Sequence, residues 1–321
     1  MKSEEFFPII DAHSHLWLKQ DTTWNNLKIK TSEGNRSRSF FLDQEVQMLP
    51  PFMIDGRNSA EVFLSNMDYA QVSAAVVTQE FIDGIQNDYL MEVQQRWPDR
   101  FLVCGMCDYF RPGFIRQAES LIRNGFRAIK IPAHRLQLSD RRILMTSPEM
   151  MQMFHLMEQK DVVLSITLED GDRQLSELSE VICECPALRI AIGHLGMANP
   201  PQTPCWENPS WRRQIALAQH PQVMIEMGGV TWLYNAEFYP FPSAVRAIRE
   251  VGDIAGFDKL MWGSDYPRTI TAITYRMSYD FILKSSELSD ADKRLILGEN
   301  ACRFYGFTAL PELPYIKNMS E

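Results

Sequence analysis

Eight short apolar runs, each followed by a helical stretch or by room for one, predict an α/β chain folded as a closed (β/α)8 barrel. Eight such units in this length favour closure over an open doubly wound sheet. The runs are apolar almost throughout, as strands covered on both faces must be. No glycine-rich Gly-x-Gly-x-x-Gly fingerprint or phosphate loop occurs. The 321 residues, 45% apolar and 23% charged, can build one such barrel with a sizeable core. No low-complexity linker interrupts them, so residues 1–321 are expected to form a single domain.

Taken in order, residues 7–12 are the first strand. Residues 17–58 follow with little periodicity and many Trp, Asn, Arg and Ser residues, which reads as a lid-like insertion with short local elements. Residues 59–70 place apolar side chains at 62, 63, 67 and 70 behind a Ser59 N-cap, a helix. The alternation then sets in, with a strand at 73–78 and a helix at 87–96 that stops before Pro98. A strand at 101–107 precedes a helix at 114–124, closed by Gly125. The fourth unit is a strand at 127–131 and a Met-rich helix at 148–159. The fifth pairs a strand at 161–168 with a helix at 172–185 that ends at Pro186. Residues 188–192 and 210–219 make the sixth unit, and 222–227 with the amphipathic 243–255 the seventh. The eighth strand is 259–262, and Ser289-Asp-Ala-Asp292, a capping-box variant, opens a last helix to Tyr305. The tail 308–321, with Pro311 and Pro314, is expected to pack on the outside.

Net charge is −9, from 32 basic and 41 acidic residues, which speaks against nucleic acid and anionic membrane surfaces and favours solubility without naming a partner; the expected partner is a small-molecule substrate. The charge leaves a homo-oligomer open. The six cysteines form no dense framework, and Cys104-Gly-Met-Cys107 lies inside an apolar run without the helix N-terminus a redox motif needs. They read as reduced, mostly core residues. With no long apolar run after Met1 and no stretch of 18 apolar residues, the expected location is the cytoplasm.

In a barrel, chemistry belongs at the C-terminal ends of the strands. The first strand delivers His13 and His15, whose alternation puts both imidazoles on one face about 6–7 Å apart. Alone, such a pair is no more than two histidines at a strand end. The sixth strand, however, ends Ile192-Gly193-His194-Leu195-Gly196, and the eighth ends Trp262-Gly263-Ser264-Asp265-Tyr266-Pro267-Arg268. Independent strands thus bring His13, His15, His194 and Asp265 to one rim from apolar or glycine-rich surroundings. Three imidazoles and a carboxylate are a ligand set for one divalent ion such as zinc, with a position left for water. Asp265 is either a ligand or the general base on that water. Lys130, on the fourth strand, and Glu226, on the seventh, also reach the rim. His155 and His220, on a helix and in a loop, read as packing or surface histidines, as does His134.

These residues carry a resemblance. Asp11-Ala-His-Ser-His15, Gly193-His-Leu-Gly196 and Leu260-Met-Trp-Gly-Ser-Asp-Tyr-Pro267 resemble the amidohydrolase superfamily. The likeness is to its amidohydrolase-related branch of sugar-acid and dicarboxylate lactonases and aminocarboxymuconate semialdehyde decarboxylase. Gly125-Phe-Arg-Ala-Ile-Lys-Ile131 resembles the fourth strand of that branch, and Gly298-Glu-Asn-Ala-Cys-Arg-Phe-Tyr-Gly306 its closing helix. One departure stands out. Metal-dependent members usually end the fifth strand in histidine, whereas here it reads Val163-Leu-Ser-Ile-Thr-Leu-Glu-Asp170. That loss implies a loosely held ion, or none, and a lactonase rather than a decarboxylase. Glu169 is either a substitute oxygen ligand or a solvated loop carboxylate.

The expected function is metal-assisted hydrolysis of a small polar substrate, a sugar-acid or related lactone. Asp265 would activate water, and His194 would polarise the carbonyl or steady the metal. Lys130, Arg135 and Arg268 would hold substrate carboxylate or hydroxyl groups, Trp17 and Trp24 either cap a sugar ring or pack the lid, and Tyr266 is a further substrate-binding candidate. Non-oxidative decarboxylation or hydration of a small cyclic or aromatic acid on the same site is the alternative.

Overall fold

The computed structural model describes residues 7–20, 22–24, 27–41, 44–137, 142–169, 172–197, 204–317 and 319. β1 (Ile9–His15) is buried along its whole length. The insertion after it forms β2 (Thr22–Trp24), β3 (Leu27–Thr31), β4 (Arg38–Phe41) and β5 (Gln44–Gln47), a separate antiparallel sheet in sequence order. Seven further strands follow: β6 (Val72–Thr78), β7 (Phe101–Gly105), β8 (Ala128–Ile131), β9 (Val163–Ile166), β10 (Ile190–Ile192), β11 (Val223–Glu226) and β12 (Leu260–Met261). With β1 they make a parallel eight-stranded sheet in the order β1-β6-β7-β8-β9-β10-β11-β12. Backbone bonds between β1 and the segment after β12 close it into the expected barrel. The Ala12 amide donates to the Trp262 carbonyl at 2.8 Å, the Asp265 amide to His13 at 2.8 Å, and the His15 amide to Tyr266 at 2.7 Å. This seam carries β1 through His15, three residues past its expected end.

Side-chain alternation sorts the barrel interior into layers. Ile10, Ala12, Val76, Leu102, Ala128 and Val163 pack there with Ala191, Met224 and Met261, plugged from below by Phe304 and Tyr305. Two residues further along β8, β9 and β11 the same face presents Lys130, Ser165 and Glu226, all about 1% exposed. The barrel is therefore dry below and polar above.

The helical layer follows the expected order. A helix at Met277–Leu283, absent from the sequence reading, inserts before the last one. The last helix is broken by a π-helical turn, Leu295–Glu299, whose Ile296 carbonyl accepts the Trp262 amide at 2.8 Å. All six cysteines are unpaired, four of them buried. Among the described residues no helix is long and apolar enough to cross a membrane.

Candidate active site

The seam places His13, His15 and Asp265 together, and β10 brings His194 beside them. The His13 ring lies 4.6 Å from that of His194 and 5.3 Å from that of His15, centroid to centroid. Ligand atoms of His13, His194 and Asp265 all lie within 4.8 Å of one another. His194, Leu195 and Asp265 adopt left-handed backbone angles, with φ of 55°, 50° and 56°. Such angles cost energy in non-glycine residues, and they concentrate where geometry serves function. Space for the His13 ring comes from glycines that follow β11 and β12. A Cβ at Gly228 would lie 2.8 Å from His13 Cγ, and one at Gly263 2.6 Å from His13 Cβ.

Hydrogen bonds decide which ring nitrogen faces the cavity. His194 Nδ1 lies 2.8 Å from the Gly228 carbonyl, which can only accept, so Nδ1 carries the proton and Nε2 a lone pair. His13 Nδ1 donates to Glu226 Oε2 at 2.9 Å, and the Tyr305 hydroxyl holds Glu226 Oε1. His13 Nε2 is buried without a hydrogen-bond partner among the described residues, with Asp265 Oδ1 3.8 Å away. Burial, then the positive charges of Lys130 and His15, hold His13 far below the usual imidazole range. His194 is pushed down to about 4 by burial first, with Lys130 and His15 adding to it. Both rings are therefore neutral, with basic nitrogens toward the cavity.

His15 is different. Burial opposes its protonation, but Asp83 Oδ2 at 2.6 Å from Nδ1 and Asp265 Oδ1 at 3.1 Å from Nε2 outweigh burial and push it up to about 10. It stands as an imidazolium between two carboxylates. Burial raises Asp265, yet the hydrogen bond and the positive charge of His15 hold it well below the ordinary carboxylate range. Trp232 Nε1 donates to its other oxygen at 2.6 Å.

Two lone-pair imidazole nitrogens, one of them an orphaned buried atom, converge with an ionised carboxylate. That donor set fits a divalent cation of the zinc class. His15 becomes a further ligand only by giving up its Nε2 proton, while Asp83 keeps the one on Nδ1.

The expected fifth-strand gap is filled by Thr167. Its hydroxyl accepts from Lys130 Nζ at 2.9 Å, and Ser165 Oγ lies 3.4 Å from the same ammonium. Glu169 points elsewhere, to Arg173 at 3.0 Å. Above these groups lies a cavity of about 520 Å3, the size for a small ligand. Trp17, Lys130, Arg135 and Arg268 line it, and Gln47 and Met48 of the insertion add to the wall. Arg135 Nε is 3.6 Å from Glu80, and the Arg268 guanidinium stacks on Trp232 at 3.6 Å. Tyr266 is not brought to the cavity. It is fully buried, stacked on Phe63 at 4.1 Å, because the closing backbone bond of residue 266 turns its ring into the helical layer. Asp170 and the side chain of Trp24 lie outside the described residues.

Sequence reasoning missed Asp83, Trp232 and the partner role of Glu226. Asp83 had a signal, since Glu80-Phe-Ile-Asp83 is a capping box, with the Asp83 carboxylate accepting the Glu80 amide at 2.9 Å. It also missed Asp11, whose carboxylate accepts from the His13 and Ser264 amides, the Ser264 hydroxyl and the Tyr275 hydroxyl. Asp11 thereby fixes the seam beneath the histidines.

A parallel eight-stranded barrel with polar groups gathered at the strand ends defines a barrel enzyme scaffold. The family model described as amidohydrolase matches residues 10–307, and the chain belongs to that family. An L-fucono-1,5-lactonase of Burkholderia ambifaria is 30% identical over 142 residues, 41% of this chain. The match spans about half of that relative, 47% of its length. Among solved structures, a probable 2-pyrone-4,6-dicarboxylic acid hydrolase of Acinetobacter baumannii with citric acid bound superposes with a TM-score of 0.70. It is 20% identical, over 93% of this chain and 99% of that one. An amidohydrolase of Burkholderia multivorans with bound zinc gives 0.68 at 20% identity, over 95% and 100%.

Proposed function

We propose that this chain hydrolyses a small polar lactone, of the sugar-acid or a related class, at the seam between β1 and β12. The observation that carries the reading is the convergence of His13 Nε2, His194 and the ionised Asp265 carboxylate under one cavity. The partial match to a lactonase supports the choice of ester over amide. His13, His194 and Asp265 would hold one divalent ion, zinc by donor chemistry, with His15 as a further ligand. A bound ion supplies Lewis acidity toward a carbonyl or a water molecule.

The chain's own groups do the rest. Asp265 stays ionised across the working pH range, so Oδ1 is available to take a proton from water as the water oxygen bonds to the lactone carbon. Trp232 Nε1 fixes Oδ2 and with it the carboxylate plane. The ring C–O bond then breaks, and the same proton passes from Asp265 to the leaving alkoxide, giving the open hydroxy acid. His194 faces the carbonyl side, and Lys130, Arg135 and Arg268 hold substrate hydroxyl or carboxylate groups around it. Trp17 forms one wall.

The test is a panel of aldonolactones followed by proton release, beside a panel of aromatic acids followed by CO2 release, with added divalent metal. Acid from at least one lactone is expected. CO2 release with no acid from any lactone would replace this reading with a decarboxylase.

A further inference from the structure

A second group of closely spaced imidazole, carboxylate and thiol side chains lies at the opposite end of the barrel. The helices Pro148–Gln159 and Arg173–Glu184 run antiparallel to the strands, so their C-termini meet at the base, where the chain enters β9 and β10. His155 and Glu158 share a face of the first helix at i and i+3. Cys185 caps the second. Its thiol sulfur is 3.3 Å from His155 Nδ1, and Glu158 Oε2 is 4.0 Å from the same nitrogen. All three donor atoms fall within 4.8 Å of one another.

The cluster is built rather than incidental. Glu158 Oε1 accepts the Ala187 amide at 2.7 Å, which fixes the carboxylate and leaves Oε2 turned toward His155. Pro186, between Cys185 and Ala187, stiffens the turn that delivers both partners.

The surrounding field independently calls for a cation. Each helix C-terminus presents the negative end of a macrodipole, and neither 12-residue helix carries a basic residue in its last turn. Lys160, just past the first helix, is exposed. Burial pushes the Cys185 thiol up to about 11, and the charges of Glu158 and Glu184 add to it. Those same charges favour a divalent ion over a proton at the sulfur.

We propose that His155 Nδ1, Glu158 Oε2 and Cys185 Sγ form a second cation site at the base of the barrel, selective for a borderline-soft divalent ion such as zinc or cobalt. Imidazole, carboxylate and thiolate together suit that class and disfavour magnesium or calcium. Binding replaces the S–H proton with a sulfur–metal bond and releases the proton to solvent. The fourth position faces water through the half-exposed His155. The bound ion would tie one helix of the outer layer to the next, remote from the cavity.

Cobalt(II) tests this without reference to catalysis, because thiolate ligation gives a sulfur-to-cobalt charge-transfer band. The donor set at the barrel mouth contains no sulfur. The band should saturate within two equivalents of cobalt, one for each proposed site, at micromolar metal in the metal-stripped chain and in Asp265→Asn, and zinc should bleach it. Cys185→Ser should lose the band. His155→Asn, altered at an exposed position that leaves folding intact, should bind about tenfold or more weakly. A band that needs millimolar cobalt, or one that survives in Cys185→Ser, overturns the site. Failure of lactone hydrolysis would leave the result untouched.

Discussion

The two sides of the barrel mouth solve the same problem differently. At the seam of β1 and β12, the Nδ1 of each imidazole is engaged by Glu226, Asp83 or the Gly228 carbonyl, so each Nε2 is aimed inward. Across the mouth, where β8 and β9 run side by side, an ammonium and a hydroxyl satisfy each other instead: Lys130 with Thr167. One side offers lone pairs from His13 and His194 beside the carboxylate-held His15, and the other presents the Lys130 ammonium to what lies between. The difference teaches that the missing fifth-strand histidine is replaced, not vacated.

Four measurements break or sharpen this contrast. After Asp265 itself, the largest loss is expected from Glu226→Gln, which weakens the hold on His13 Nδ1. By analogy with other residues that orient metal-binding histidines, kcat/KM and zinc affinity should fall roughly 10–100-fold. Metal titration and lactone kinetics check both. Gly228→Ala comes next, because its Cβ would sit 2.8 Å from His13 Cγ. Overpacking should cost about 1–3 kcal/mol in denaturant unfolding, with a drop in turnover as the ring is displaced.

Thr167→Val acts on the other side. Among the described residues Lys130 would keep only the Ser165 hydrogen bond, 3.4 Å away, and stability should fall by about 1–3 kcal/mol, with a smaller kinetic effect than at the seam. Equal kinetic losses from Thr167→Val and Glu226→Gln would erase the distinction between the two sides.

The smallest effect at neutral pH lies at the rim, where the response is a pH dependence. Burial, then the charges of Arg135 and Lys130, push His134 down to about 3 from its ordinary 6.5. Between those values the unfolded chain binds a proton that the folded chain refuses. The contribution of His134 is therefore complete above pH 6.5 and is lost as pH falls toward 3. The melting temperature of His134→Gln should vary less with pH over that window than that of the parent.

Much of this was legible in the sequence, for identifiable reasons. The barrel showed because its strands are doubly buried and therefore apolar throughout, and because glycine and proline punctuate the units. His13, His15, His194 and Asp265 showed because polar groups stand out in apolar or glycine-rich runs. The insertion was opaque as a whole, although Leu27-Lys-Ile-Lys-Thr31 alternates as a strand should. Asp83, Trp232 and Thr167 were hidden for a different reason. Their roles lie in contacts across 33 to 68 residues of sequence, which no local pattern encodes. The charge of His15 was likewise unreadable, because it depends on two carboxylates brought together only by folding. The base cluster illustrates the same limit, since His155 looks like a surface histidine until Cys185 is placed beside it.

The most direct test is turnover of the best lactone by Asp265→Asn beside the parent, with both proteins loaded with zinc and shown to be folded. Loss of a positioned general base should lower kcat by roughly 10²–10⁴-fold. Unchanged turnover in the variant would contradict the assignment of the seam as the catalytic centre.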